Sequence, residues 1–170
     1  MGSGAVIWFT GLPQSGKSTL AGRVREELGG RCILLDSDEV RAALGLESYA
    51  AEDRDAFYRA LGGLGGLLSR QGHVVLVAAT APRRAHRELA RAAAPRFVEV
   101  WVQASLAECE ARDGKGLYAR ARAGEAPMLP GIGAAYEPPE DPAVIANGGH
   151  DTTAMLAIAR LARALPERRS

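Results

Sequence analysis

"GLPQSGKS", residues 11–18, decides the fold of this chain. It follows a continuous apolar run, "AVIWFT" (5–10), and it opens "KSTLAGRVREEL" (17–28), where apolar residues recur at helical spacing. A continuous apolar run reads as a strand buried on both faces. The pattern G-x-x-x-x-G-K-[ST] between such a strand and a helix is a phosphate-binding turn, the P-loop. Its glycines let backbone N–H groups point into a concave loop, and the helix N-terminus adds its positive end. Lys17 is placed to reach the β- and γ-phosphates of a nucleotide, and Ser18 to ligate Mg²⁺.

The same alternation continues outward. Gly29 and Gly30 end the first helix, and "CILLDSD" (32–38) reads as a second strand. A helix over 38–46 and another after "ESYAAEDR" follow. "HVVLVAAT" (73–80) and "FVEVWVQA" (97–104) are further strands, separated by the helix "RAHRELARAAA", which Pro95 stops. Ser105 is a fitting N-cap for "SLAECEARD". "PMLPGIGAAYEPPEDP" (127–142) is loop, "AVIAN" a short fifth strand, and 151–165 a closing helix capped by Asp151 or Thr152. Alternating strands and helices predict an α/β protein. The expected architecture is a three-layer P-loop NTPase fold with a mainly parallel sheet of about five strands. "LGGLGGLL" (61–68) is costly for a helix and reads as close packing through small residues.

At 170 residues the chain is the size of one domain, and 1–170 reads as a single kinase domain. Lys+Arg 21 against Asp+Glu 20 leaves a net charge of +1, which argues against nucleic acid as a partner. No apolar run reaches membrane length, so no membrane partner and a cytoplasmic location are expected. Cys32 and Cys109 lack metal-ligand spacing and read as reduced thiols. His73, His86 and His150 are scattered and suggest no site, and the basic run 82–91 reads as a solvated helix face.

Two further segments carry chemistry. Asp36 and Asp38 stand at the C-terminal end of the second strand, the edge where open α/β sheets bind ligands. A carboxylate there can take the proton of an attacking hydroxyl or help hold hydrated Mg²⁺. Asp38 is equally readable as a helix N-cap. "CEARDGKGLYARARAGE" (109–125) holds Arg112, Lys115, Arg120 and Arg122 among three glycines. It reads either as a solvated basic face or as a mobile lid, about 109–135, that closes over phosphates and excludes water.

These motifs resemble the adenylylsulfate kinases, P-loop enzymes that use MgATP to phosphorylate the 3′-hydroxyl of adenosine 5′-phosphosulfate. "GLPQSGKST" is similar to GLSGSGKST, "LDSDEVR" to LDGDNVR and "YAAEDR" to FSxEDR. The core RDxKGLYxxARAGE is matched throughout, and "PGIGAAYEPPEDP" is similar to TGIDxPYExPxxP. The likeness runs from the P-loop to about Pro142. It implies that Gly11, Ser15, Gly16, Lys17, Ser18 and Thr19 hold the ATP phosphates. Ser18 and Asp36 would serve Mg²⁺, and Asp36 would also be the base for the acceptor hydroxyl. Arg112 and Lys115 would act in transfer from a lid that continues through Gly116–Tyr118. Asp38, Arg41, Tyr49, Arg54, Phe57 and Leu129 would line the acceptor side, with Tyr49 stacking on the acceptor's adenine. A homodimer is a further possibility that the family suggests.

The departures from the family pattern cluster on the acceptor side. Glu39 stands for an asparagine, Phe57 for another, and Ala60 for an arginine. Ala79 stands for a phenylalanine, Ala81 for a serine, and Leu129 for the phenylalanine of an aromatic clamp. Pro130 and Gly133 replace a threonine and an aspartate. A different hydroxyl acceptor, such as another nucleotide conjugate or a specialised metabolite, is therefore the alternative reading. A non-catalytic nucleotide-binding regulator is a more distant one, because Lys17, Ser18 and Asp36 are all kept.

Overall fold

The computed structural model describes residues 4–164. Five strands form one sheet in the order β2-β3-β1-β4-β5, and every neighbouring pair is parallel. They are β1 (Ala5–Thr10), β2 (Ile33–Asp36), β3 (Val74–Ala78), β4 (Phe97–Gln103) and β5 (Val144–Asn147). Between them run α1 (Lys17–Glu27), α2 (Ser37–Leu44), α3 (Ala51–Arg70) and α4 (Arg84–Ala93). The short α5 (Leu106–Ala111) and α6 (Leu117–Arg122) follow β4, and α7 (Thr152–Arg163) closes the described chain.

Alternate residues of each strand feed two cores. Ile7, Phe9, Leu76, Val100 and Val102 pack with Leu20 and Val24 of α1 and Ile158 of α7. Val6, Trp8, Val75 and Val77 face Phe57, Tyr58 and Leu61 of α3 and Ala90 of α4. This is the expected three-layer arrangement: the strands are apolar on both faces because helices cover both. Gly29 and Gly30 do end α1, both at positive φ. Asp151 caps α7 through the Ala154 N–H, and the last residue of the expected closing helix, 165, lies outside the described residues. Ser105 and Glu108 form a reciprocal capping box on α5.

Three sequence expectations change. The second strand ends at Asp36 rather than 38, because the Asp36 carboxylate accepts the Asp38 N–H at 2.9 Å and starts α2 at Ser37. The cap is therefore Asp36, and Asp38 lies in the first turn. The run 82–91 is not wholly solvated. Arg87 is 1% exposed and donates to Glu99 (2.6 Å), to the Ala81 carbonyl (2.6 Å) and to the Glu137 carbonyl (2.6 Å). A buried guanidinium needs such saturation of its donors. His86 is also buried, bonded to Asp55 at 2.6 Å and packed on the Tyr58 ring.

The glycine-rich stretch packs as expected. A Cβ on Gly62 would stand 2.9 Å from that of Ala90, and one on Gly66 would stand 2.5 Å from the Ala93 carbonyl oxygen. No helix among the described residues is long and apolar enough to cross a membrane.

Candidate active site

The C-terminal ends of β1, β2, β3 and β5 open into one cavity of about 860 Å³. Its floor is the turn after β1. Gly16 caps α1 at φ 103°, in the left-handed region that favours glycine. A side chain there would also strike the backbone of Gly149, 2.4 Å away, so the turn can be this tight only with glycine. The Lys17 ammonium is buried and donates to the carbonyls of Leu12 (2.8 Å) and Gly11 (3.1 Å). Burial pushes its pKa down from 10.5 to about 8, against the opposing pull of Cys109, Asp38 and Asp36. The Ser18 hydroxyl donates to Asp36. Asp36 thus joins the floor to α2, with one oxygen on Ser18 and the other on the Asp38 N–H.

The roof comes from the segment after β4. Arg112, Lys115 and Arg120 all line the cavity, while Arg122 turns away and pairs with Glu110 at 2.7 Å. Lys115 reaches across to an ion pair with Asp38, which holds its pKa above the usual lysine value. Tyr118 anchors the base of this segment, donating to the Pro13 carbonyl at 2.7 Å. Lys17 and Lys115 are the chain's only lysines, and both line the cavity.

The far wall is assembled from separate segments. Arg41 and Arg54 are both buried yet border the cavity. Arg54 donates to the Met128 carbonyl at 2.8 Å, which ties α3 to the loop carrying Leu129. The Arg41 guanidinium carbon lies over two rings, 4.5 Å from the Tyr49 centroid and 3.9 Å from that of Phe57, and the group donates to the Ser48 carbonyl at 3.2 Å.

The cavity therefore gathers Gly16, Lys17, Ser18, Thr19, Asp36, Asp38, Arg41, Tyr49, Arg54, Arg112, Lys115 and Leu129. Gly11 and Ser15 lie beneath the turn rather than on its surface. Phe57 does not reach the cavity either, because Arg41 stands in front of it. Sequence reading missed the loop after β5, Asn147–His150, which borders the phosphate side. The available signal was a glycine pair at the carboxyl end of a parallel strand, where such sheets bind ligands.

A glycine-rich loop and buried lysine at the foot of a parallel sheet, facing arginines across a shared cavity, define a P-loop kinase. Comparison with known proteins agrees. Residues 3–147 match the family model described as adenylylsulphate kinase. An adenylyl-sulfate kinase of Citrobacter koseri is 45% identical over 160 residues, covering 91% of this chain and 80% of the relative. That of Acaryochloris marina is 42% identical over 153 residues, covering 86% and 75%. The solved Mycobacterium tuberculosis APS kinase CysC, in complex with AMPPNP and APS, superposes with a TM-score of 0.85 at 38% identity. The match covers 95% of this chain and 99% of that one. The chain belongs to the adenylylsulphate kinase family.

Proposed function

We propose that this protein transfers the γ-phosphoryl group of MgATP to the 3′-hydroxyl of adenosine 5′-phosphosulfate. The observation that carries the reading is the position of Asp36. It stands between the phosphate-binding floor and the arginine-lined wall of a single cavity. The relative solved with AMPPNP and APS supports both substrates.

In this reading the ATP phosphates lie on the backbone N–H groups of residues 11–19, and Lys17 turns its ammonium from the loop carbonyls to the β/γ-phosphates. Ser18 and Asp36 offer adjacent hard oxygen donors, the set Mg²⁺ takes when phosphates and water complete its shell. When bound, the ion neutralises phosphate charge. Arg41 and Arg54 hold the acceptor's anionic groups, while Tyr49 and Leu129 cover its base. Asp36 receives the proton of the attacking hydroxyl. Arg112 and Lys115 stabilise the charge on the moving phosphoryl group. The segment 109–135 acts as the lid, and residues 1–170 as one kinase domain.

Leu129 and Pro130, the two acceptor-side departures that line the cavity, favour one second reading, a different hydroxyl acceptor served by the same floor. ³¹P NMR of the product separates the two. Incubation of MgATP with adenosine 5′-phosphosulfate is expected to yield a 3′-phosphomonoester resonance. Its absence, with ADP formed on another hydroxyl compound, establishes the second reading. For Asp36→Asn the expectation is a loss of kcat of about 100-fold or more with ATP affinity kept, the signature of a missing base. Loss of ATP affinity instead assigns Asp36 to the metal alone.

A further inference from the structure

Phe57 sits where the family pattern has an asparagine, and it lies outside the cavity that the pattern would have it line. It is 3% exposed and packed among Tyr58 and the apolar residues between α3 and the sheet. Among the described residues, the charged group over its ring face is Arg41, whose guanidinium carbon is 3.9 Å from the ring centroid. The same guanidinium carbon also lies over the Tyr49 ring, 4.5 Å from its centroid, and Tyr49 is 56% exposed. Among the described residues, the guanidinium of Arg41 makes one hydrogen bond, to the Ser48 carbonyl at 3.2 Å, and Arg41 lines the cavity.

An amide at position 57 would compete for these donors or for the ligand. A phenyl ring cannot. It holds the guanidinium by its face alone and leaves the edge donors available. The attraction is strongest where water is excluded, as it is behind Arg41.

We infer that Phe57 is a positioning residue for the acceptor: it fixes the plane of the Arg41 guanidinium by stacking, so that Arg41 presents its edge to an anionic group of the acceptor. Tyr49, the second ring over the same guanidinium, is exposed and is left to cover the acceptor's base. The inference rests on the proposed acceptor reading for the identity of the anion, but not for the stack itself.

The test compares Phe57→Met, which keeps apolar volume and removes the ring, with Phe57→Tyr, which keeps the ring. With adenosine 5′-phosphosulfate as acceptor, Phe57→Met is expected to raise the acceptor KM about thirtyfold, the size of a well-desolvated cation–π contact. The ATP KM should stay unchanged, and Phe57→Tyr should restore the acceptor KM. A loss in Phe57→Met that falls equally on both KM values, or that Phe57→Tyr shares, overturns the proposal. In parallel, the Arg41 Nε–Hε resonance of the unliganded wild-type protein is expected to carry a ring-current upfield shift that Phe57→Met reduces, leaving the part due to Tyr49. An Arg41 resonance that is unshifted in the wild type overturns the stack itself, whether or not Phe57→Met folds. If adenosine 5′-phosphosulfate is not turned over by the wild type, the proposed function fails, and the resonance alone decides the stack.

Discussion

The floor and the far wall of the cavity are built by different rules. The floor comes from one contiguous stretch, residues 11–19, and it works through backbone N–H groups and a helix end. The wall comes from α2, the loop before α3, α3 itself and the loop around Leu129, and it works through side chains. A backbone device tolerates little change, since Gly16 has neither the φ nor the space for another residue. A side-chain device can be revised one position at a time: Leu129 and Pro130 are departures from the family pattern that line the cavity, whereas Phe57, Ala79 and Ala81 are buried away from it. Specificity changes of this kind can be large, because a polar group left without its partner in a buried site is costly.

Substitutions on each side should break the contrast in opposite ways. The largest effect is expected for Lys17→Ala. Removing a cation aimed at the transferred phosphate should lower kcat by about 100- to 1000-fold, as measured by ADP formation. Arg54→Gln, on the wall, should raise the acceptor KM about tenfold to a hundredfold and leave the ATP KM within error, since a charge-assisted contact is lost. Equal effects of Arg54→Gln on both substrates would erase the distinction between floor and wall.

A smaller effect comes from pH. The Lys17 pKa in the free enzyme is lowered from 10.5 to about 8 by burial. Only the protonated ammonium attracts phosphate, so its share falls as pH rises through that value. The kcat/KM for ATP should therefore be flat below pH 8 and fall by about tenfold per pH unit well above it. The acceptor side relies on Arg41 and Arg54 rather than on Lys17. The kcat/KM for the acceptor should fall less steeply at saturating ATP.

Legibility followed the same division. The floor was readable because its function resides in spacing along a few residues. All five strands were readable too, because apolar runs bounded by glycine and polar turns leave few alternatives. The wall was readable only in part. Arg41, Arg54, Tyr49 and Leu129 do meet, but no local pattern showed that Phe57 would stand behind Arg41 instead of beside it. Arg87 was misread for a related reason. Its place in the amphipathic pattern of α4 is polar, and only the tertiary partner Glu99, on the neighbouring strand β4, makes burial tolerable. Asp38 was readable as a cap for the following helix, because a carboxylate there would satisfy its first turn. The geometry chose Asp36, which thereby serves both the start of α2 and the contact with Ser18.

The central claim is that a P-loop floor and an arginine wall act on either side of Asp36 in one phosphoryl transfer to adenosine 5′-phosphosulfate. The most direct test is the rate of ADP formation from MgATP with and without that acceptor, in the wild type and in Lys17→Ala. Acceptor-dependent turnover is expected in the wild type and should collapse in the variant. No acceptor-dependent turnover in a wild-type protein that still binds MgATP would contradict it.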